Sequence, residues 1–208
     1  MMLFRASNYP ANILWFPTSS ETIAEYMMGV TYLESLGFKV TAIVCDGRKG
    51  VREAFSTSYP VQMCQFHQLQ IINKYLTRNP QLPAAIELRR IALTLSYTTE
   101  AVLTTKLEHW HTRWGSFIKQ RTTHPDSKHW SYTHKRLRSA YRSLSNNLPY
   151  LFTYQSQPNL AIPNTTNSLD GSITHIRKML NLHRGLAKSR KIYLTDELLR
   201  GKTPKKFH

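Results

Sequence analysis

Cysteine is nearly absent. The chain has two, Cys45 and Cys64, each inside an apolar run. That argues against a disulfide framework and makes a reducing cytoplasm the expected location. Long apolar runs are missing too. None reaches the ~18 residues of a membrane span, so no membrane partner is expected. The first residues, Met1 to Ser7, lack the pattern of a signal peptide. Carboxylates are scarce: 12 Asp and Glu stand against 28 Lys and Arg, a formal charge of +16. No acid precedes Glu21, and none lies between 127 and 169. Such an imbalance calls for an acidic partner, most simply nucleic acid.

The imbalance is one-sided. Residues 1–108 carry 10 Lys and Arg and 8 acids, a net of +2, whereas residues 109–208 carry 18 and 4, a net of +14. A solubilising surface needs less than that. The apolar content of 41% with 11% aromatics supports a folded core, and 208 residues suffice for one core with an insertion.

Apolar patterning orders the first third. Met2–Ala6 and Asn12–Phe16 read as a hairpin around the turn-rich Asn8-Tyr9-Pro10-Ala11. A helix follows, with Ser19 or Ser20 as N-cap. It carries Ile23, Tyr26, Met27, Val30, Leu33 and Leu36 on one face, and Gly37 ends it. Val40–Cys45 is a short β-branched run of the kind buried on both faces, and it stops at Asp46-Gly47. Asp46 therefore stands at the carboxyl end of a buried strand, where open α/β sheets place ligand sites. As a plain alternative, Asp46 only caps the turn. A short helix near Val51–Phe55 leads to a second strand, Val61–Phe66, ending at His67.

From Gln68 the periodicity is helical for about 80 residues. Trp110 and Trp114 lie four apart on one helix face and are assigned to the core rather than to base stacking. His124-Pro125-Asp126 reads as a loop. In the helix Lys135–Leu144, an apolar stripe of Leu137, Tyr141 and Leu144 contrasts with the cations Lys135, Arg136, Arg138 and Arg142, candidates for phosphate contact. Gln155–Pro163 reads as an extended linker. Asn164-Thr165-Thr166-Asn167 then caps a helix on which Asp170, Thr174 and Arg177 share one side. At this place Asp170 suits the helix dipole, which is its bland role. A basic tail runs from Gly185 through Lys202–Lys206.

The ordered set of Val44-Cys45-Asp46-Gly47-Arg48-Lys49-Gly50, Cys64-x-x-His67, Asn164-Thr165-Thr166-Asn167-Ser168-Leu169-Asp170-Gly171 and His183-Arg184-Gly185-Leu186 resembles the DDE/D transposases. Within them it looks like the Mutator-like and related bacterial insertion-sequence type. The resemblance spans nearly the whole chain. It implies an α/β fold with a ribonuclease H-like mixed sheet and a large all-helical insertion. Residues 1–67 would be the partial core, 68–160 the insertion, and 161–208 the acid-bearing helix and basic tail. It implies Asp46 and Asp170 as second and third catalytic acids and ligands of Mg²⁺ or Mn²⁺, with His67 beside them. The implied chemistry is hydrolysis and transesterification of DNA phosphodiesters, and the implied partner is DNA, both transposon ends and target. Arg177, Lys178 and Arg184 join the α-helical cations as DNA contacts, and a homo-oligomer is compatible. A structural zinc site at Cys64 and His67 lacks the second ligand pair that such sites need.

In that family the first acid lies on a strand ahead of the hairpin. Here the hairpin opens the chain, so the expectation is a truncated copy. Its central strand position would be empty, and the chain by itself would be inactive in strand cleavage. The competing expectation is a basic nucleic-acid-binding protein without chemistry. Carboxylates of Asp46 and Asp170 on opposite sides of the fold would favour it.

Overall fold

The computed structural model describes residues 1–7, 9, 11–48, 50–123 and 129–201. Part of the Asn8–Pro10 turn, Lys49, the His124–Asp126 loop and the Lys202–Lys206 tail lie outside the described residues.

The expected hairpin forms from its two apolar runs. β1 (Met2–Arg5) pairs antiparallel with β2 (Asn12–Phe16), with an irregular register between Phe4 and Arg5. α1 (Ile23–Ser35) starts one turn later than the serines suggest. Thr22 is the N-cap. Its hydroxyl accepts the Glu25 amide while the Glu25 carboxylate accepts the Thr22 amide, a reciprocal capping box. At the other end Gly37, at φ +87°, turns the chain, so that Phe38 and Gly37 donate to the Leu33 and Glu34 carbonyls. Val30 and Leu33 are buried as the face requires, but Ile23, Met27 and Leu36 are exposed.

β3 is Ile43–Cys45 alone and pairs in parallel with β4 (Val61–Met63). Both strands are shorter than their apolar runs. A ladder needs two partners, and Pro60, whose carbonyl accepts the Ile43 amide, marks where β4 begins. Val40–Ala42 is left without one. At the far end Cys64 is already the N-cap of α3 (Gln65–Leu76), so His67 sits in the first turn of a helix rather than at a strand end. Between β3 and β4 lies α2 (Val51–Phe55).

The helical stretch continues as α4 (Pro83–Leu93) and α5 (Glu100–Trp114), then meets a hairpin of β5 (Arg121–Thr123) and β6 (Trp130–Tyr132). The insertion is therefore not all helical. Arg121 lies over the Trp130 ring at 3.8 Å from its centroid, which helps hold an otherwise exposed hairpin. α6 (Lys135–Leu151) buries Leu137, Ala140 and Leu144. The expected linker is partly wound, into α7 (Thr153–Ser156) and a 3₁₀ turn at Pro158–Leu160. α8 (Asn167–Leu182) and α9 (Lys188–Arg200) complete the described chain.

The molecule is thus mixed α/β and dominated by helices, and among the described residues the strands pair as three two-stranded sheets. Among the described residues the buried apolar side chains form two clusters. The larger joins α3–α6 around Ile72, Leu88, Leu103, Trp110 and Leu144. Trp110 is fully buried there and donates to the Ala84 carbonyl at 2.9 Å, while Trp114 donates to Glu87. The smaller holds Val30, Val51, Phe55 and Val61 beneath β3 and β1. Among the described residues no helix is long and apolar enough to cross a membrane.

Candidate functional site

Asp46 follows β3 directly and is exposed. Its Oδ1 accepts the Arg48 amide at 3.1 Å, closing a turn through Gly47 at φ +88°. Arg48 reaches back to Glu21, which it meets at 2.7 Å through the carboxylate and again through the backbone carbonyl. The Tyr26 hydroxyl donates to the same carboxylate. Burial first, then the charges of Glu21 and Asp46, push the Tyr26 hydroxyl up to about 12. Beside Asp46, burial pushes the Cys45 thiol up to about 11, so it stays protonated and unreactive at neutral pH.

The second part of the site joins residues about a hundred positions apart. The first amide of α3, on Gln65, donates to the Asn164 carbonyl at 2.9 Å, and the Asn164 side-chain amide donates to Gln65 Oε1 at 3.1 Å. The Thr166 amide donates to Cys64 Sγ at 3.3 Å. This Cys64 sulfur is fully buried and serves as an acceptor. Two of these bonds satisfy backbone amides at helix starts, on Gln65 and Thr166, that would otherwise be orphans, and the three together place the start of α8 against the start of α3.

Thr166 is the hinge of this arrangement. Its hydroxyl donates to Asp170 Oδ2 at 2.9 Å and lies 3.4 Å from His67 Nδ1. A carboxylate only accepts, so the one hydroxyl proton goes to Asp170 and His67 meets Thr166 as an Nδ1–H donor. Arg5 of β1 donates to Ser168 Oγ at 2.9 Å and to Asn12 Oδ1 at 2.8 Å, tying the hairpin to the first turn of α8.

Asp46, His67 and Asp170 all line one cleft of about 740 Å³, together with Arg5, Glu21 and Arg177. The two carboxylates are therefore not on opposite sides of the fold. Asp170, Thr174 and Arg177 share the cleft-facing side of α8 as their spacing implies. Carboxylate oxygens are the donors Mg²⁺ takes. Among the described residues, however, no three His, Cys, Asp or Glu come together as a metal-ligand group. Two carboxylates fall short of a two-metal set.

The cations are dispersed. Lys178 and Arg184 are exposed and lie off the cleft. None of the four α6 cations lines it either. Arg136 donates to the Lys74 carbonyl at 2.5 Å, at the end of α3, and Arg138 stacks on Tyr132 at 4.1 Å. Lys135 and Arg142 are exposed.

Two participants, Arg5 and Glu21, had no site role in the sequence, and Thr166 figured there only in the segment that caps the helix. For Thr166 the i, i+4 spacing to Asp170 was a visible signal. Nothing local marks Arg5 or Glu21, whose partners are distant in the chain. No protein-family model matches this chain, nor does any curated protein or solved structure.

Proposed function

We propose that this chain is a DNA-binding core of the DDE/D transposase type. In this reading β1–β4 belong to a ribonuclease H-like sheet and α3–α7 to its insertion. Asp46, Asp170 and His67 mark the phosphodiester end of the cleft. The observation that supports it best is convergence. Motif segments quoted for the resemblance, Cys64-x-x-His67 and Asn164–Asp170, are joined by direct hydrogen bonds, and both open onto the cleft that Asp46 lines. Asp46 and Asp170 would hold Mg²⁺ or Mn²⁺, which in such sites activates water or a 3′-hydroxyl. With two carboxylates the affinity is weak, and the chain by itself binds DNA without cutting it.

DNA binding is carried by Lys135, Arg142, Arg177 and Lys178, all exposed, with Arg138 and Arg184 nearby in sequence. If four of these cations meet phosphates, a filter-binding titration gives a log–log salt slope of roughly −3.6, at −0.9 per contact. A flat salt response overturns the assignment.

A second reading has its own support. Asp46 already caps the Arg48 amide and Asp170 already accepts from Thr166, the duties expected in a nucleic-acid-binding protein without chemistry. Mn²⁺ titration followed by electron paramagnetic resonance separates the two. Weak binding that Asp46→Asn and Asp170→Asn each remove supports the transposase-type site. DNA binding with no such Mn²⁺ signal supports the second reading. Metal-dependent nicking by this chain that Asp46→Ala abolishes would refute both the second reading and the expected inactivity.

A further inference from the structure

No described residue of β5 or β6 belongs to either apolar cluster, and none lines the cleft. Arg121 is paired across this hairpin with Tyr132, and Thr123 with Trp130. Opposite and alternate residues of a ladder share a face, so Trp130, Tyr132 and Arg121 stand on one side. The Arg121 guanidinium lies over the Trp130 ring at 3.8 Å and reaches the Tyr132 ring at 5.9 Å. Arg138, from the neighbouring α6, lies over Tyr132 at 4.1 Å. The two rings meet edge to face, with their planes 87° apart.

Holding the hairpin does not need an open ring. Trp130 is nonetheless 49% exposed with Arg121 already over it. Among the described residues neither Arg121 nor Arg138 has a carboxylate partner or a side-chain hydrogen bond. Each guanidinium uses its flat face on a ring and keeps its N–H donors for an outside acceptor. The root of the hairpin is held. The Thr133 amide donates to the Gln120 carbonyl at 2.9 Å, and the Thr122 and Thr133 hydroxyls bond at 2.7 Å. His134 stacks on Phe117, and its Nε2 meets Gln120 Oε1 at 3.1 Å. Groups fixed in this way leave little to be ordered on binding.

The surrounding chain is cationic. From 109 to 152 the sequence has eight Lys and Arg and one acid, Asp126. Cations alone suit any polyanion. Open aromatic surface beside them suits one whose bases are unstacked, because a duplex keeps its base faces to itself. We propose that β5–β6 is a stacking platform for single-stranded nucleic acid. A base rests on the open side of Trp130, and Arg121 and Arg138 present their N–H groups to the flanking phosphates. Such a surface reads π-faces and charge, so it tolerates any sequence. The inference goes beyond the phosphate contacts assigned above. It shares with that reading only the nucleic acid and needs neither Asp46 nor Asp170.

The probe is a fluorescein-labelled oligothymidylate of about 12 nucleotides, a length such surfaces cover, followed by fluorescence anisotropy with the full chain. Its control is an abasic oligomer of equal length, which keeps the phosphates and removes the bases. The oligothymidylate should bind about tenfold more tightly, the effect of one stacked base. Trp130→Ala should remove that advantage and leave abasic binding unchanged, whereas Trp130→Phe, which keeps a ring, should retain most of it. The oligothymidylate should also quench tryptophan emission in the wild type and much less in Trp130→Phe, a readout that serves if Trp130→Ala fails to fold. Equal binding of the two oligomers, or equal competition by polyglutamate, overturns the proposal, since only charge is then read. So does a folded Trp130→Ala variant that binds as the wild type does. If duplex DNA binds with the salt slope given above while bases add nothing, the platform fails and the DNA reading stands. If neither duplex nor single strand binds, both fail.

Discussion

At the scale of single residues, two positions hold the site in shape. Gly47 combines φ +88° with a close approach: a Cβ there would stand 2.2 Å from Met63 Cε. Met63 is fully buried, so its side chain has little room to retreat. Gly47→Ala should cost about 2 kcal/mol, the sum of left-handed strain and local repacking. Urea denaturation measures it, and a cost near zero would mean that the turn is softer than its geometry implies. Thr166 acts through one hydroxyl shared between His67 and Asp170. Thr166→Val keeps the shape and removes the bond, at a cost of about 1 kcal/mol. The informative quantity is coupling. Asp170→Ala made on top of Thr166→Val should cost less than Asp170→Ala alone, because the two residues share the interaction. Strict additivity in a double-mutant cycle would show that the hydroxyl bond contributes nothing.

At the scale of elements, the ends of helices do most of the joining. Gln62 and Gln65, both buried, donate to the Leu151 carbonyl at the end of α6, and Gln62 accepts the Tyr154 amide. Arg52 of α2 donates to Asn147 of α6, whose amide reaches Gln68 of α3 at 2.6 Å. These buried polar bonds link the small sheet region to the helical one. α9 is attached more lightly. Asp196 accepts the Trp15 indole N–H of β2 at 2.7 Å and the Arg200 guanidinium at 2.8 Å. Arg200 first, then Trp15, hold the Asp196 carboxyl below its usual 3.8. A lowered pKa means that the folded form binds the proton less readily than the unfolded one. The stabilisation is present above about 3.8 and is lost as pH falls through the lowered value. The Trp15 indole N–H resonance in nuclear magnetic resonance should therefore move in that acid range. Asp196→Asn should abolish the movement, and an unchanged titration in that variant would count against this attachment.

At the scale of the molecule, the two apolar clusters are unequal. Among the described residues, eighteen buried ones make up the helical cluster and four the one under β1 and β3. The smaller cluster also borders the cleft. With little apolar area to lose on opening, it belongs to the low-stability end of the structure. Hydrogen–deuterium exchange by mass spectrometry should show α1, α2, β1 and β3 exchanging before α3–α6. Equal protection of both regions would show that the buried Arg52–Asn147–Gln68 link makes them one cooperative unit. The formal charge of +16 acts at this scale as well. It sets a long-range attraction to polyanions, but it names no contact, since Arg136 and Arg138 are already engaged within the fold.

Elements with a local cause were legible in the chain. The β1–β2 hairpin followed from two apolar runs flanking a turn-rich stretch, α2 and α6 from helical spacing, and the α1 terminus from Gly37. The burial of Trp110 followed from its place on an apolar helix face. So did the shared side of Asp170, Thr174 and Arg177 on α8. What depends on a distant partner was not legible. Val40–Cys45 has the residues of a six-residue strand, yet only Ile43–Cys45 is paired, because strand length is decided by the neighbour and not by propensity. His67 entered a helix because α3 begins at Gln65, with its first amide satisfied by Asn164. The sequence placed Asp46 at a strand end and Asp170 near a helix start. Only the tertiary structure turned both toward one cleft, through backbone and hydroxyl bonds that link residues about a hundred positions apart and that no local pattern encodes.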